Sequence, residues 1–104
     1  MFIAMNQFQV RPGREHEFEA AWRSRESYLS DVPGFVRFAH LRGDEPGEYV
    51  SHSTWETREA FLGWAQSSAF RRAHASQMPE GVLAGHPRAR FYEAVLAEEP
   101  ARPA

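Results

Sequence analysis

The sequence predicts an α+β domain with elements in the order β-α-β-β-α-β, and three observations carry that reading. Four segments alternate apolar and polar residues or are rich in aromatic and β-branched ones, as strands are. Two segments repeat their apolar residues at helical spacing, and they fall between strands one and two and between strands three and four. The chain has 104 residues, enough for one domain and no more.

Each element has its own justification. In residues 2–10, Phe2, Ala4, Phe8 and Val10 share one face with Asn6 in their midst, while Ile3, Met5, Gln7 and Gln9 share the other. Arg11-Pro12-Gly13 breaks that strand. Residues 14–30 read as a helix, with Phe18, Trp22, Arg25 and Leu29 on one stripe, ended by Asp31-Val32-Pro33-Gly34. Residues 35–42 and 48–55 are strand-like, joined by the turn-rich Gly43-Asp44-Glu45-Pro46-Gly47. Thr57 is a suitable N-cap, with Glu59 in the first turn, for a helix carrying Phe61, Trp64 and Ala65. Ser67-Ser68 offers a fresh cap for a short helix with Phe70, Ala73 and His74. Residues 77–87 hold two prolines and two glycines and read as a loop, residues 88–96 return to strand character, and residues 98–104 form a flexible tail after a domain of residues 1–97.

This order implies a ferredoxin-like split βαβ: four antiparallel strands with both helices on one face. The other face carries Ile3 and Met5 and needs cover. A second copy of the sheet supplies it, so a homodimer built as a dimeric α/β barrel is expected.

Composition excludes several kinds of chemistry. Hydrophobic residues make up 42% and charged residues 25%, so the chain is not disordered. A net charge of −2 gives no reason to expect nucleic acid or an anionic membrane as partner. All 12 basic residues are arginine, which rules out Schiff-base lysines and leaves guanidinium groups to clamp carboxylates or phosphates. Without cysteine there are no disulfides, thiolate nucleophiles, iron–sulfur clusters or thiolate-ligated haem. Residues 1–10 contain Asn6, Gln7 and Gln9 and no basic leader, and no apolar run reaches membrane-spanning length, so a cytoplasmic protein is expected.

A few polar and aromatic residues stand out. Asn6 interrupts an apolar face, and a buried carboxamide without partners costs about 1–3 kcal/mol. It therefore bonds either to backbone, as a structural residue, or to a ligand in a cavity. His74 shares a helix face with Phe70, and its helix starts after a break that turns it away from the helix bearing Trp64. A bend at Ser67-Ser68 opens a pocket between Trp64 and His74; the alternative is that both serve only in packing. Trp22 and Trp55 read as core. His40 and His52 lie on the paired strands, where a register setting them opposite would make a two-imidazole metal site without an obvious third ligand. His16 reads as a solvated helix residue and His86 as a loop residue.

The strand ending Asn6-Gln7-Phe8-Gln9-Val10-Arg11-Pro12-Gly13, the turn Val32-Pro33-Gly34-Phe35, and Trp55-Glu56-Thr57-Arg58-Glu59-Ala60-Phe61-Leu62-Gly63-Trp64 resemble the antibiotic biosynthesis monooxygenase (ABM) domain, a likeness spanning residues 2–97. Within that superfamily the chain resembles the IsdG-type haem-degrading monooxygenases. Their pattern is an asparagine on the first strand, a tryptophan on the second helical segment, and a histidine ten residues later in an Ala-His context. Here these are Asn6, Trp64 and Ala73-His74. The stretch from Trp64 through Gln66-Ser67-Ser68-Ala69-Phe70-Arg71-Arg72 to His74 is similar to the rhizobial haem-uptake members.

The resemblance implies an enzyme that opens the haem macrocycle with O₂ and an external electron donor, releasing iron. It implies His74 as the iron ligand through its neutral imidazole, Asn6 as a distal hydrogen-bond donor, and Trp64 as the group that presses on the macrocycle. Phe70 would line the haem site; Arg71 and Arg72 either pair with propionates or stand as solvated surface arginines. The donor would be an unidentified reductase or small-molecule reductant. Two other readings use the same fold: a non-catalytic haem-binding protein, and a haem-free ABM-type monooxygenase acting on a quinol or polyketide.

Overall fold

The alternating face of the first segment is the one that becomes buried. A computed structural model of the chain describes residues 1–25, 28–73 and 78–101. In it Phe2, Ala4 and Phe8 are buried on β1 (Phe2–Gln9), while Gln7 and Gln9 are exposed. The elements that follow are α1 (Glu15–Ser24), β2 (Phe35–Arg42), β3 (Glu48–Trp55), α2 (Arg58–Ala65), α3 (Ser68–Ala73) and β4 (Arg88–Glu93). The strands form one antiparallel sheet in the order β2-β3-β1-β4. Consecutive hairpin strands lie side by side, and β1 sits between β3 and β4, as the split βαβ requires.

Both helical layers lie on the Phe2–Ala4–Phe8 side of the sheet. One apolar cluster joins Phe2, Ala4 and Trp55 to Trp64 of α2 and to Leu29. The other joins Phe8, Val10 and Tyr49 to Phe18 of α1 and to Val82. Trp55 and Phe18 are fully buried, and removing large rings at such places typically costs about 3–5 kcal/mol.

Several boundaries differ from the sequence expectation. The first helix stops at Ser24 rather than running to residue 30, and Arg25 is already extended. The Ser24 hydroxyl donates to the Ala21 carbonyl at 3.2 Å, a local bond that competes with helix continuation. Residues 26 and 27, inside the expected helix, lie outside the described residues. Leu29 is buried all the same, placed by the chain beyond the helix rather than by its stripe. The last strand ends at Glu93, and Val95 and Leu96 are exposed. The segment read as a loop before it contributes to the core: Val82 is fully buried, and its carbonyl accepts from the Arg11 amide at 2.8 Å. Of the expected tail, residues 102–104 lie outside the described residues.

Two turns fix α2 against the sheet. Thr57 caps it as expected, its hydroxyl accepting from the Ala60 amide at 3.1 Å. Gly34 has φ +80°, and a Cβ built there would meet the Ala60 Cβ at 2.5 Å. Only glycine allows β2 to start so close to α2.

On the opposite face of the sheet, Ile3 and Met5 of β1 stand beside Thr54 and His52 of β3 and Tyr92 and Arg90 of β4. Leu41 and Tyr92 there are 45% and 47% exposed.

Candidate functional site

Between the sheet and the helices lies a cavity of about 250 Å³. Ala4 and Asn6 of β1 and Ser51 and Ser53 of β3 line its floor. Phe61, Trp64 and Phe70 wall one side, and Trp22 and Arg25 close another. The helix break is what gives the site its shape. The Ser67 hydroxyl donates to the Trp64 carbonyl at 2.6 Å and accepts from the Phe70 amide at 3.1 Å, so one side chain ends α2 and starts α3. The turn brings the Phe70 ring edge-on to Trp64, with centroids 4.8 Å apart at 81°. Trp64 also packs on Trp55 at 5.3 Å, which limits rotation of the indole.

Asn6 pairs with Ser51 in the ladder and projects towards the helices. It is half-buried, and its carboxamide makes no hydrogen bond to a described residue. The backbone-bonded alternative therefore has no partner among these residues.

The sites named from the sequence fall into three groups. Asn6, Trp64 and Phe70 come together in the cavity. Arg71 is exposed on α3 and is not part of that lining. His74 follows α3 in the sequence and lies outside the described residues.

Arg25 is the residue that sequence reasoning missed as part of the site. Its guanidinium lies 4.3 Å from the centroid of Trp22, and burial pushes its pKa down. No carboxylate pairs with it among the described residues. The signal was present: a cation on the apolar stripe that begins at Phe18.

The register corrects the reading of the strand histidines. His40 pairs with Ser51 and His52 with Ala39, so the two imidazoles point to opposite faces and cannot share a metal. No group of three metal-ligating side chains occurs among the described residues. His40 instead stacks on Trp22 at 4.3 Å and lies near-parallel to Tyr49 at 5.7 Å. Both ring nitrogens are sealed without a hydrogen-bond partner among the described residues. Burial pushes its pKa down to about 4, so the ring is neutral.

Beside it, a second recess of about 280 Å³ holds a charged network. The Tyr49 hydroxyl donates to Glu19 Oε2 at 2.6 Å, and Arg42 grips the same carboxylate from Nε at 3.0 Å and Nη2 at 2.8 Å. The Tyr49 bond and then Arg42 hold the Glu19 pKa below its ordinary value. A larger, open recess of about 590 Å³ lies on the far side of Trp64, between α2 and the segment carrying Tyr28 and Pro33.

Known proteins resemble this chain in sequence and in fold. The sequence pattern of the antibiotic biosynthesis monooxygenase family matches residues 1–76. A heme oxygenase (mycobilin-producing) of Mycobacterium tuberculosis is 34% identical over 86 residues, covering 80% of this chain and 79% of the relative. A heme-degrading monooxygenase of Bacillus cereus is 32% identical over 88 residues, covering 80% of this chain and 81% of the relative. Among solved structures, the heme-degrader MhuD of M. tuberculosis, with two hemes bound in its active site, superposes with a TM-score of 0.76. It is 28% identical, over 95% of this chain and all of that one.

Proposed function

This chain belongs to the antibiotic biosynthesis monooxygenase family, and from that premise we propose that it is a haem-degrading monooxygenase acting in the ≈250 Å³ cavity. The observation that carries the reading is the convergence of Asn6 from β1 and Trp64 from α2 on one space between sheet and helices. The lining suits a flat apolar ring with acidic edge groups. Aromatic walls take the ring face, Arg25 is a half-buried cation that no described carboxylate pairs, and the Asn6 amide is unbonded by the described residues.

Haem is the substrate, and it supplies the oxygen chemistry through its own iron when reduced by an external donor, a reductase or small-molecule reductant. The chain's residues bind, orient and distort it. Trp64, packed between Trp55 and Phe70, would present its indole to the face of the ring and press on it. Asn6, on the sheet floor of the cavity, would offer its amide N–H to the oxygen that attacks the ring. Arg25 pairs with a propionate in the cavity, and Arg71 meets one at the exposed rim of α3. His74 would ligate the iron, an assignment that rests on the sequence pattern alone.

The uncovered sheet face supports a homodimer. Leu41, Val50 and Tyr92 with Ile3 and Met5 form an apolar surface that a second copy buries by the same patch on both sides. Sedimentation is expected at about twice the 11.9 kDa chain mass; a monomer at micromolar concentration overturns the barrel. Among the described residues no helix is long and apolar enough to cross a membrane. We place the enzyme in the cytoplasm, where the reductant that the proposed reaction needs is supplied.

The deciding experiment titrates the protein with hemin and then adds ascorbate in air with catalase present, following the Soret band. Binding followed by bleaching is the expected result. Binding without bleaching makes the protein a haem carrier, and no binding leaves a haem-free monooxygenase of the same family.

A further inference from the structure

We propose that Trp22, His40 and Tyr49 form a relay that carries an oxidising equivalent from the cavity to the phenol bonded to Glu19. The inference rests on the haem reading for its oxidant, and on the geometry of the stack for everything else. Trp22 lines the cavity with Asn6 and Trp64, while Tyr49 lines the neighbouring recess, and His40 lies between them. The centroid separations along the path are 4.3 Å and 5.7 Å, with interplanar angles of 19° and 9°. His40 is a bridge and not a station, because a neutral imidazole is harder to oxidise than an indole or a phenol.

The two ends differ in what they do with a positive charge. At Trp22 the Arg25 guanidinium stands 4.3 Å from the ring centroid, which disfavours a resting indole cation by simple repulsion. The Trp22 Nε1–H has no acceptor among the described residues, so none of these takes a proton from the oxidised indole. At Tyr49 the phenol already donates to the Glu19 carboxylate at 2.6 Å. An oxidised phenol is a strong acid and passes its proton along that bond. The charge therefore leaves the Arg25 end and comes to rest as a neutral phenoxyl at the Glu19 end.

The step balances as follows. Tyr49 loses one electron and its hydroxyl proton, and the proton goes to Glu19 Oε2. The electron passes through the His40 stack to the Trp22 indole, and from there to haem oxidised by hydrogen peroxide, which is reduced by one equivalent. A reductant of the ascorbate class then returns one electron, Glu19 returns the proton, and the phenol is restored. Arg42, which holds Glu19 and is exposed, places this end beside solvent. The relay spares Asn6 and Trp64 when peroxide reacts without productive ring opening.

Pulse radiolysis of the haem-free protein with azide radical tests the relay alone. The expected result is indolyl absorbance decaying as phenoxyl absorbance rises, at a rate independent of protein concentration. Tyr49→Phe loses that rise, Trp22→Phe loses most of it, and Tyr28→Phe and Tyr92→Phe keep it. Far-UV circular dichroism and the thermal midpoint check that each variant is folded. An unchanged rise in Tyr49→Phe, or one whose rate scales with concentration, overturns the proposal. The second measurement freezes the hemin complex after hydrogen peroxide and records its electron paramagnetic resonance. A tyrosyl signal absent from Tyr49→Phe supports the relay. A bound Soret band without any tyrosyl signal overturns it. A missing Soret band overturns the haem reading instead, and radiolysis still decides the relay.

Discussion

Asn6 and His40 stand on the same face of one sheet, on β1 and β2, and neither is hydrogen-bonded through its side chain by a described residue. Their surroundings differ. Asn6 opens on the cavity between helices and sheet, with Trp64 and Arg25 across from it. His40 is enclosed by Trp22, Phe18, Phe8 and Tyr49, and burial holds it neutral. One polar group faces a space that a ligand can fill; the other is packed in rings that give its nitrogens no partner among the described residues. A polar residue on an apolar face is thus a question, and its neighbours across the sheet give the answer.

The largest expected effect breaks the comparison if it fails. Asn6→Ala removes a donor that acts after oxygen binds, so ascorbate-driven bleaching should slow about 10²–10³-fold, equivalent to roughly 3–4 kcal/mol of barrier. Hemin affinity should hold, and the thermal midpoint should stay level or rise, because the methyl suits the face of Ala4 and Phe8. Bleaching at the wild-type rate with a lowered midpoint would make Asn6 a structural residue, no different in kind from His40.

Gly34→Ala tests whether the cavity half depends on its turn. The added methyl meets the Ala60 Cβ at 2.5 Å, and φ +80° is unfavourable for alanine. Destabilisation of about 2–4 kcal/mol is expected in denaturant titration, from strain and overpacking together. The Trp64 environment should be disturbed while the His40 stack keeps its signals; equal disturbance at both would mean the two halves do not respond separately.

Much of this was legible in the sequence, for reasons that differ by residue. Period-two alternation and turn chemistry placed the strands, and a cap at Thr57 and a break at Ser67 placed α2 and α3, because those signals act within a few residues. The meeting of Asn6 with Trp64 came through family likeness, since spacing alone does not bring distant segments together. Arg25 was read as a stripe member because the helix was drawn past Ser24, where a local hydroxyl bond ends it. The opposite facing of His40 and His52 depended on a one-residue choice of register, which strand patterns leave open when both neighbours are mixed. Val82 sat in a segment rich in proline and glycine, and its burial comes from long-range contacts: the Arg11 amide donates to its carbonyl, the Ala84 amide to that of Gln9, and its side chain joins the Phe8 and Phe18 cluster.

His40→Phe sharpens the comparison through pH. The folded imidazole has its pKa lowered to about 4, against an ordinary value near 6.5. Below about 6.5 the unfolded chain takes up a proton that the folded chain refuses, so wild-type stability should fall as pH drops from there towards 4. Glu19 nearby favours the protonated ring and Arg25 opposes it, and burial outweighs both. Discounted for partial exposure, the loss should be about 2 kcal/mol. His40→Phe keeps an aromatic ring in the stack and removes the titration. The stability difference between wild type and variant should therefore change across that pH window and be constant above it. A constant difference throughout would mean that His40 is solvated and the contrast with Asn6 is lost.

The smallest expected effect belongs to Arg25, on the wall between the two environments. Its guanidinium has lost hydration to burial, which lowers its pKa, and no described carboxylate compensates. A ligand carboxylate would supply the missing partner through a charge-assisted bond, offset by the cost of desolvating that carboxylate. Arg25→Gln should therefore weaken hemin binding about tenfold, near 1.4 kcal/mol. It should not lower the thermal midpoint of the haem-free protein, because the substitution removes a cation that burial already disfavours. Hemin dimethyl ester separates charge from shape: its carboxylates are blocked, so wild type and Arg25→Gln should bind it alike. A tenfold loss that persists with the ester would mean Arg25 acts by packing on Trp22, and the propionate assignment would pass to the exposed Arg71.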